Sequence, residues 1–232
     1  MGKKRIVVLT GAGMSAESGL KTFRDANGLW EGHDVMQVAS PQGFAANPEL
    51  VLEFYNQRRK QLLQVNPNEG HRALVTLEQK FEVNIVTQNV DNLHEKAGST
   101  KVLHLHGELL KVRSTKNENL VMEWHKDLHL GHLDADGHQL RPHIVWFGEM
   151  VPLLEPAIEI TSKADVLLII GTSMQVYPAA SLVNFVEHGT PIYFIDPKPN
   201  VQANMFDNLK IISEPAAIGV PHLVKNLMND LP

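Results

Sequence analysis

The 232-residue chain contains no cysteine. A disulfide framework, a cysteine-ligated zinc and a thiol nucleophile are thereby excluded. Long apolar runs are missing too. The longest, Val166–Ile170, has five residues, against the roughly 20 that a membrane-spanning helix needs. Lys3-Lys4-Arg5 precedes an apolar stretch, but that stretch stops at Thr10-Gly11, too early for the core of a signal peptide. Positive charge is not in excess: the formal net charge is -5, which argues against a general binder of nucleic acid or of anionic membranes. Internal repeats and low-complexity linkers are absent. These absences predict a cytoplasmic location. What remains, 43% hydrophobic and 20% charged residues, is an ordinary globular composition with length enough for one core and a small inserted module.

The runs Ile6–Leu9, Val83–Thr87, Val166–Ile170 and Pro191–Ile195 are predicted strands of a parallel sheet buried on both faces. Helices are predicted from Pro48 to about Gln64, with Asn47 as cap, at His71–Lys80, and at Pro178–His188 with Gly189 as its stop. Strands alternating with helices give an α/β, Rossmann-like fold with helices on both faces. Two segments break the alternation. One, about residues 26–70, is predicted helical and has no central strand; the other, about 107–143, is polar, His-rich and strand-poor. Both are predicted insertions in a single domain spanning residues 1–232, forming a smaller module over the carboxyl edge of the sheet.

Candidate chemistry gathers at strand ends. Thr10-Gly11-Ala12-Gly13-Met14-Ser15-Ala16 reads as a glycine turn between strand and helix, where backbone N–H groups and a helix terminus can take a phosphate; a purely structural turn is the alternative. A dehydrogenase of this type carries Asp or Glu at the end of a second strand about 20 residues later. Here that window, with Phe23 to Glu31, is a loop, which speaks against hydride transfer. Gln88, Asn89 and Asp91 follow Val83–Thr87; they can pair with a carboxamide and ribose hydroxyls, or simply cap a loop. His104 and His106 alternate on Val102–His106 and so share one face. His106 ends the strand and suits a proton acceptor, or a structural histidine. Gly171-Thr172-Ser173 and Asp196 close two further strands. On the helix from Pro48, Val51, Tyr55, Arg58 and Leu62 are spaced by 4, 3 and 4, which places Arg58 on the apolar stripe while Arg59 and Lys60 can face solvent. Such an Arg is internally paired, or awaits a substrate carboxylate. His125, His129, His132, His138 and His143 cluster with Asp134 and Asp136. They match no compact ligand spacing, and Leu133–Leu140 reads as a hairpin with a glycine turn. No metal is expected.

Together the motifs resemble the sirtuins, NAD-dependent protein-lysine deacylases: Gly11–Ser15, Ser18-Gly19, Thr22–Arg24, Leu29-Trp30, Gln88–Asp91, His106-Gly107, Val145–Glu149 and Gly171–Ser173. Ala39 with Tyr55-x-x-Arg58 resembles the signature of the class III members, which prefer acyl groups ending in a carboxylate, such as succinyl and malonyl. The resemblance implies that NAD is a consumed co-substrate and that the acyl group passes to ADP-ribose as nicotinamide leaves. It implies that Gly11, Ala12, Gly13 and Ser15 hold the pyrophosphate, while Gln88, Asn89 and Asp91 place nicotinamide and its ribose. Ala16, Phe23, Arg24, Trp30, Gly171, Thr172, Ser173, Asp196 and Ala216 complete the cofactor-binding set, with Phe23 shielding the site. His106 and Asn89 are the implied catalytic residues, His106 as general base. Tyr55 and Arg58 would bind the acyl carboxylate, with Ala39 leaving space for it, and a strand at Val145–Glu149, through Val145, Phe147 and Gly148, would pair with the substrate peptide.

Two departures stand out. The family's four-cysteine zinc site has no counterpart: Ser114 stands near its first position, so a metal-free module held by packing, including Trp124, is expected. Asp196 stands where the family often has Asn. The implied partners are acylated lysines of proteins, with no nucleic acid and no membrane, and a monomer is expected. A conventional NAD oxidoreductase and a non-catalytic NAD sensor are the rival readings.

Overall fold

Uncharged β-branched runs cannot leave either face in water, and they assemble accordingly. A computed structural model describes residues 2–21, 29–30, 32–202, 205–206 and 208–230. Its strands are β1 (Arg5–Thr10), β2 (Leu29–Trp30), β3 (His33–Asp34), β4 (Glu82–Thr87), β5 (Val102–His104), β6 (Gly107–Ser114), β7 (Val121–Glu123), β8 (Leu140–Ile144), β9 (Val166–Ile170), β10 (Ile192–Ile195) and β11 (Leu209–Ile212). The α-helices are α1 (Val35–Val38), α2 (Pro41–Ala46), α3 (Pro48–Gln64), α4 (Glu69–Leu77), α5 (Leu93–Ala97), α6 (Leu154–Ser162) and α7 (Ala216–Asp230).

Six strands form one sheet in the order β11-β10-β9-β1-β4-β5, every pair parallel. Counted within the sheet this is the Rossmann-like order 3-2-1-4-5-6, with the switch point between β1 and β9. Alternate residues of β1 serve opposite faces. Ile6 and Val8 join Leu74, Leu77, Ile85, Leu168 and Val220, the side covered by α4 and α7. Val7 and Leu9 join Leu167, Ile169, Leu182 and Phe194, beside α6. Each such side chain contributes about 1.5–3 kcal/mol when fully buried.

The predicted strands and the helix Pro48–Gln64 are present, and Asn47 caps the latter by accepting from the Leu50 N–H at 3.0 Å. Other boundaries differ for physical reasons. Pro191 has no N–H to give the ladder, so β10 starts at Ile192. The helix predicted at His71–Lys80 runs from Glu69 to Leu77, because Asn68 caps it and the turns after Val75 tighten to three-residue spacing. Pro178–His188 is not an α-helix: a 3-10 turn occupies Ala179–Phe185. There the Ser181 hydroxyl donates to the Pro178 carbonyl at 2.7 Å, competing with helical bonding.

The expectation of a strand-poor segment 107–143 is overturned. β6, β7 and β8 make a three-stranded antiparallel sheet in the order β7-β6-β8. A register irregularity between Gly107 and Val112 buries Leu109 and Leu110 in succession, and that hides the two-residue period in the sequence. Leu52, Val112, Leu128 and Leu140 form its core, with Met122 and Trp124 packed against them. The predicted hairpin is seen as an antiparallel bridge between Leu133 and Gln139. The strand predicted at Val145–Glu149 is also corrected: β8 ends at Ile144, and the chain turns through Phe147-Gly148-Glu149 with Gly148 at φ 90°.

Candidate active site

Parallel strands deliver the loops that follow them to one edge. At the switch point the loops after β1 and β9 touch: the Gly11 N–H donates to Ile170 O at 3.0 Å and the Gly13 N–H to Gly171 O at 2.8 Å. A Cβ on Gly13 would lie 2.7 Å from the Gly171 Cα, and one on Gly171, whose φ is 62°, would run into the Met14 amide nitrogen. These glycines are needed for loop–loop contact before any ligand arrives. Ala12 and Ala16 sit in 3-10 turns, at Ala12–Met14 and Ala16–Ser18, half-buried beside them.

Across from this turn, the loop after β4 presents its polar side chains. Ser15 Oγ donates to Asp91 Oδ2 at 2.9 Å and accepts from Asn89 Nδ2 at 3.2 Å. Gln88 Nε2 reaches Thr172 Oγ1 at 3.2 Å. Asn89 and Asp91 are buried, and burial raises the Asp91 pKa against the opposing pull of the Leu93 N–H and Ser15. Beneath them Thr10 and Thr87, which end paired strands in register, bond at 2.8 Å.

β5 ends at His104, so the predicted strand to His106 stops two residues short; Leu105 and His106 form the turn into β6. Both imidazoles hold the Gln88–Asp91 loop. His106 Nδ1 lies 3.1 Å from Gln88 O, and burial lowers its pKa. His104 Nδ1 lies 3.0 Å from Asn89 O, with its Nε2 2.7 Å from Glu95 Oε1. Burial opposes charge on His104, yet Glu95 and the Asn89 carbonyl outweigh it and raise the pKa.

Some of the predicted substrate residues meet on the other side. The Val145 N–H donates to His106 O at 2.9 Å, and the Phe147 N–H to Ala39 O at 2.9 Å. Trp146 Nε1 donates to the Tyr55 hydroxyl at 2.9 Å. Tyr55 is wholly buried. Arg58 is half-buried; its guanidinium lies 5.3 Å from the Phe54 ring centre, with Nε and Nη1 shielded from solvent. One expectation fails: Arg59 does not face solvent. It is 1% exposed, its Nε donating to Leu109 O at 3.2 Å and Nη1 to Asn56 Oδ1 at 2.9 Å. Burial lowers its pKa to about 10. Leu52, Asn56 and Arg59 form a second stripe of α3, covered by β6 and by Leu128 beyond β7.

The family model for the Sir2 family matches residues 11–178. This chain belongs to the Sir2 family. A relative from Helicobacter pylori named NAD-dependent protein deacylase is 58% identical over 228 residues, covering 98% of this chain and 97% of the relative. A solved Sir2 homologue mutant in complex with ADP-ribose superposes with TM-score 0.90 at 38% identity, covering 99% of this chain and 94% of that one. A Sir2 homologue–NAD complex gives TM-score 0.88 at 38% identity, covering 99% and 91%.

The Sir2 edge fits a dinucleotide by its donor set: buried amide, carboxylate and hydroxyl groups at a switch point, where diphosphates and riboses bind. Ser173 is half-buried after Thr172, and Asp196, buried after β10, accepts from the Lys198 N–H at 2.9 Å. Ala216 opens α7, and its carbonyl backs Gly70, where a Cβ would meet it at 2.9 Å. Phe23 and Arg24 lie outside the described residues, and of Trp30 only the strand position is described. Among the described residues no cluster of three or more His, Cys, Asp or Glu is arranged for a metal, and no helix is long and apolar enough to cross a membrane. Sequence reasoning missed Thr10, Thr87, Arg113, Arg141 and the ion pair of His104. The two threonines closing matched strands were a readable signal; the arginines, dispersed on β6 and β8, carried none.

Proposed function

We propose that this Sir2-family protein is an NAD-dependent protein-lysine deacylase of the class III type, removing succinyl and malonyl groups as well as acetyl. The observation that carries this reading is a junction. The Val145 N–H on His106 O joins a dinucleotide-type edge, with Ser15, Gln88, Asn89 and Asp91, to a turn whose next two residues bond Tyr55, through Trp146, and Ala39, through Phe147. Bound NAD supplies a ribose carbon made electrophilic as nicotinamide departs, and the acyl group is transferred to ADP-ribose.

The chain's own groups do the positioning and the proton work. Asn89 and Asp91, tied through Ser15, are set to orient the nicotinamide ribose. Burial keeps His106 below its ordinary pKa, hence neutral near pH 7. A carbonyl only accepts, so the contact with Gln88 O puts the proton on Nδ1 and leaves Nε2 as the base for a ribose hydroxyl. Burial pushes the Tyr55 phenol up, so it remains an O–H donor; with Arg58 three residues on along α3 it suits an acyl carboxylate, and Ala39 leaves room for it. Asp196 and Ala216 suit the adenosine end. The β6–β8 module is read as metal-free, its interior being filled by Leu128, Leu140 and Val112. The proposed partners are acylated lysine side chains of proteins, and the proposed place of action is the cytoplasm.

The test is incubation with NAD and acetyl-, malonyl- and succinyl-lysine versions of one peptide. Nicotinamide and O-acyl-ADP-ribose are expected, with the carboxylated acyl groups turned over faster. NADH formation without nicotinamide release overturns the reading.

A further inference from the structure

We propose that Glu149 is a positioning residue whose carboxylate locks the Val145–Gly148 turn to the β6–β8 module and, through Trp146, sets the place of the Tyr55 hydroxyl. The proposal rests on the deacylase reading for its meaning, though its geometry does not.

One carboxylate gathers three donor groups here. Arg141 Nη1 and Nη2 donate to its two oxygens at 2.6 and 3.1 Å, Arg113 Nη2 at 3.2 Å, and the Trp146 N–H at 2.8 Å. Arg113 and Arg141 are 5% and 8% exposed, so neither can turn to water if the carboxylate is lost. Arg141 Nη2 also donates to Ile144 O at 2.9 Å, and its guanidinium carbon lies over the Trp146 ring, 3.4 Å from the ring centre. That indole then donates to Tyr55, while the next residue, Phe147, bonds Ala39. Glu149 is thus the common anchor of a path that runs from strands β6 and β8, across the turn, to the acyl side of the site. Burial works against its charge, but Arg141 and the Trp146 N–H outweigh it and hold its pKa below the ordinary value. A turn with Gly148 at φ 90° has little intrinsic rigidity; the charge-assisted bonds supply it.

Glu149→Gln keeps the size and one acceptor oxygen but removes the charge. The expected result is a roughly tenfold rise in KM for the succinyl peptide with KM for NAD within about twofold, and a lower succinyl-to-acetyl ratio of kcat/KM, a tenfold change being about 1.4 kcal/mol. Glu149→Asp should recover part of the loss. Trp146→Phe, which removes the indole N–H with part of the ring system and keeps an aromatic ring under Arg141, should lower the same ratio without moving KM for NAD. Equal losses for both acyl groups, or a parallel rise in KM for NAD, overturn the proposal. Amide hydrogen exchange of residues 145–148 is the readout independent of catalysis: it should quicken in Glu149→Gln, and unchanged exchange overturns the proposal even if the wild-type protein releases no nicotinamide. The latter result by itself would defeat only the deacylase reading.

Discussion

His106 Nδ1 and the carbonyl oxygen of Gln88 lie 3.1 Å apart, so the proposed base and the Gln88–Asp91 loop are held in one unit and the basic nitrogen of His106 is Nε2. Burial, the larger influence, lowers the His106 pKa, while the Gln88 carbonyl pulls it up. The neutral, proton-accepting form therefore persists to lower pH than for an exposed histidine. The acid limb of kcat/KM that belongs to His106 is expected below about 6.5. His106→Ala should cost roughly 10²–10⁴-fold in kcat and remove that limb. A full pH profile of both proteins checks this, and an unaltered limb in the variant assigns it elsewhere.

In the proposed reading Arg58 and Tyr55 serve acyl recognition and take no part in the chemistry. Arg58→Met should reduce desuccinylation far more than deacetylation, by roughly ten- to a hundredfold, the worth of a charge-assisted pair of about 1.5–3 kcal/mol. Parallel kinetics on acetyl and succinyl peptides are the measurement. Equal loss on both would make Arg58 a structural residue.

Gly171 sits where a side chain has no room, against Met14 and Gly13, with φ at 62°. Gly171→Ala should destabilise the fold by roughly 2 kcal/mol or more and weaken NAD binding with it, because the loops after β1 and β9 must separate. Thermal unfolding and calorimetric titration with NAD report the two effects. An unchanged melting temperature would show that the loop contact is dispensable.

His71 and His94 are fully buried, with ring centres 4.9 Å apart. Burial lowers the His71 pKa to about 4 and places that of His94 well below its ordinary value. The unfolded chain takes up these protons below about pH 6.5 while the folded protein does not, so stability falls as pH drops from 6.5 toward 4. For His71 alone the loss approaches roughly 3 kcal/mol at about pH 4. Denaturant midpoints measured across this range should fall for the wild-type protein and less steeply for His71→Leu, which cannot titrate.

Much of this was readable along the chain. The β1 run, the glycine turn, the Asn47-capped helix and the strand-end clusters at Gln88–Asp91 and Gly171–Ser173 each rest on local rules of burial, capping and turn chemistry. Those rules fail where two elements share a boundary. The bulged β6 reads as polar because Glu108, Lys111 and Arg113 interrupt an alternation that already skips a step. Arg59 reads as exposed because the sheet that covers it comes from about fifty residues away.

The main strands of the parallel sheet, its burial on both faces and the presence of a dinucleotide-type turn were determined by sequence alone, since hydrophobic period and turn residues act over a few positions. Which carboxylate meets which guanidinium was not. Glu149 with Arg113 and Arg141, Trp146 with Tyr55, and His104 with Glu95 were decided only in the tertiary structure. Hydrogen bonds are satisfied by proximity in space, and separations of up to ninety-one residues leave no periodic trace.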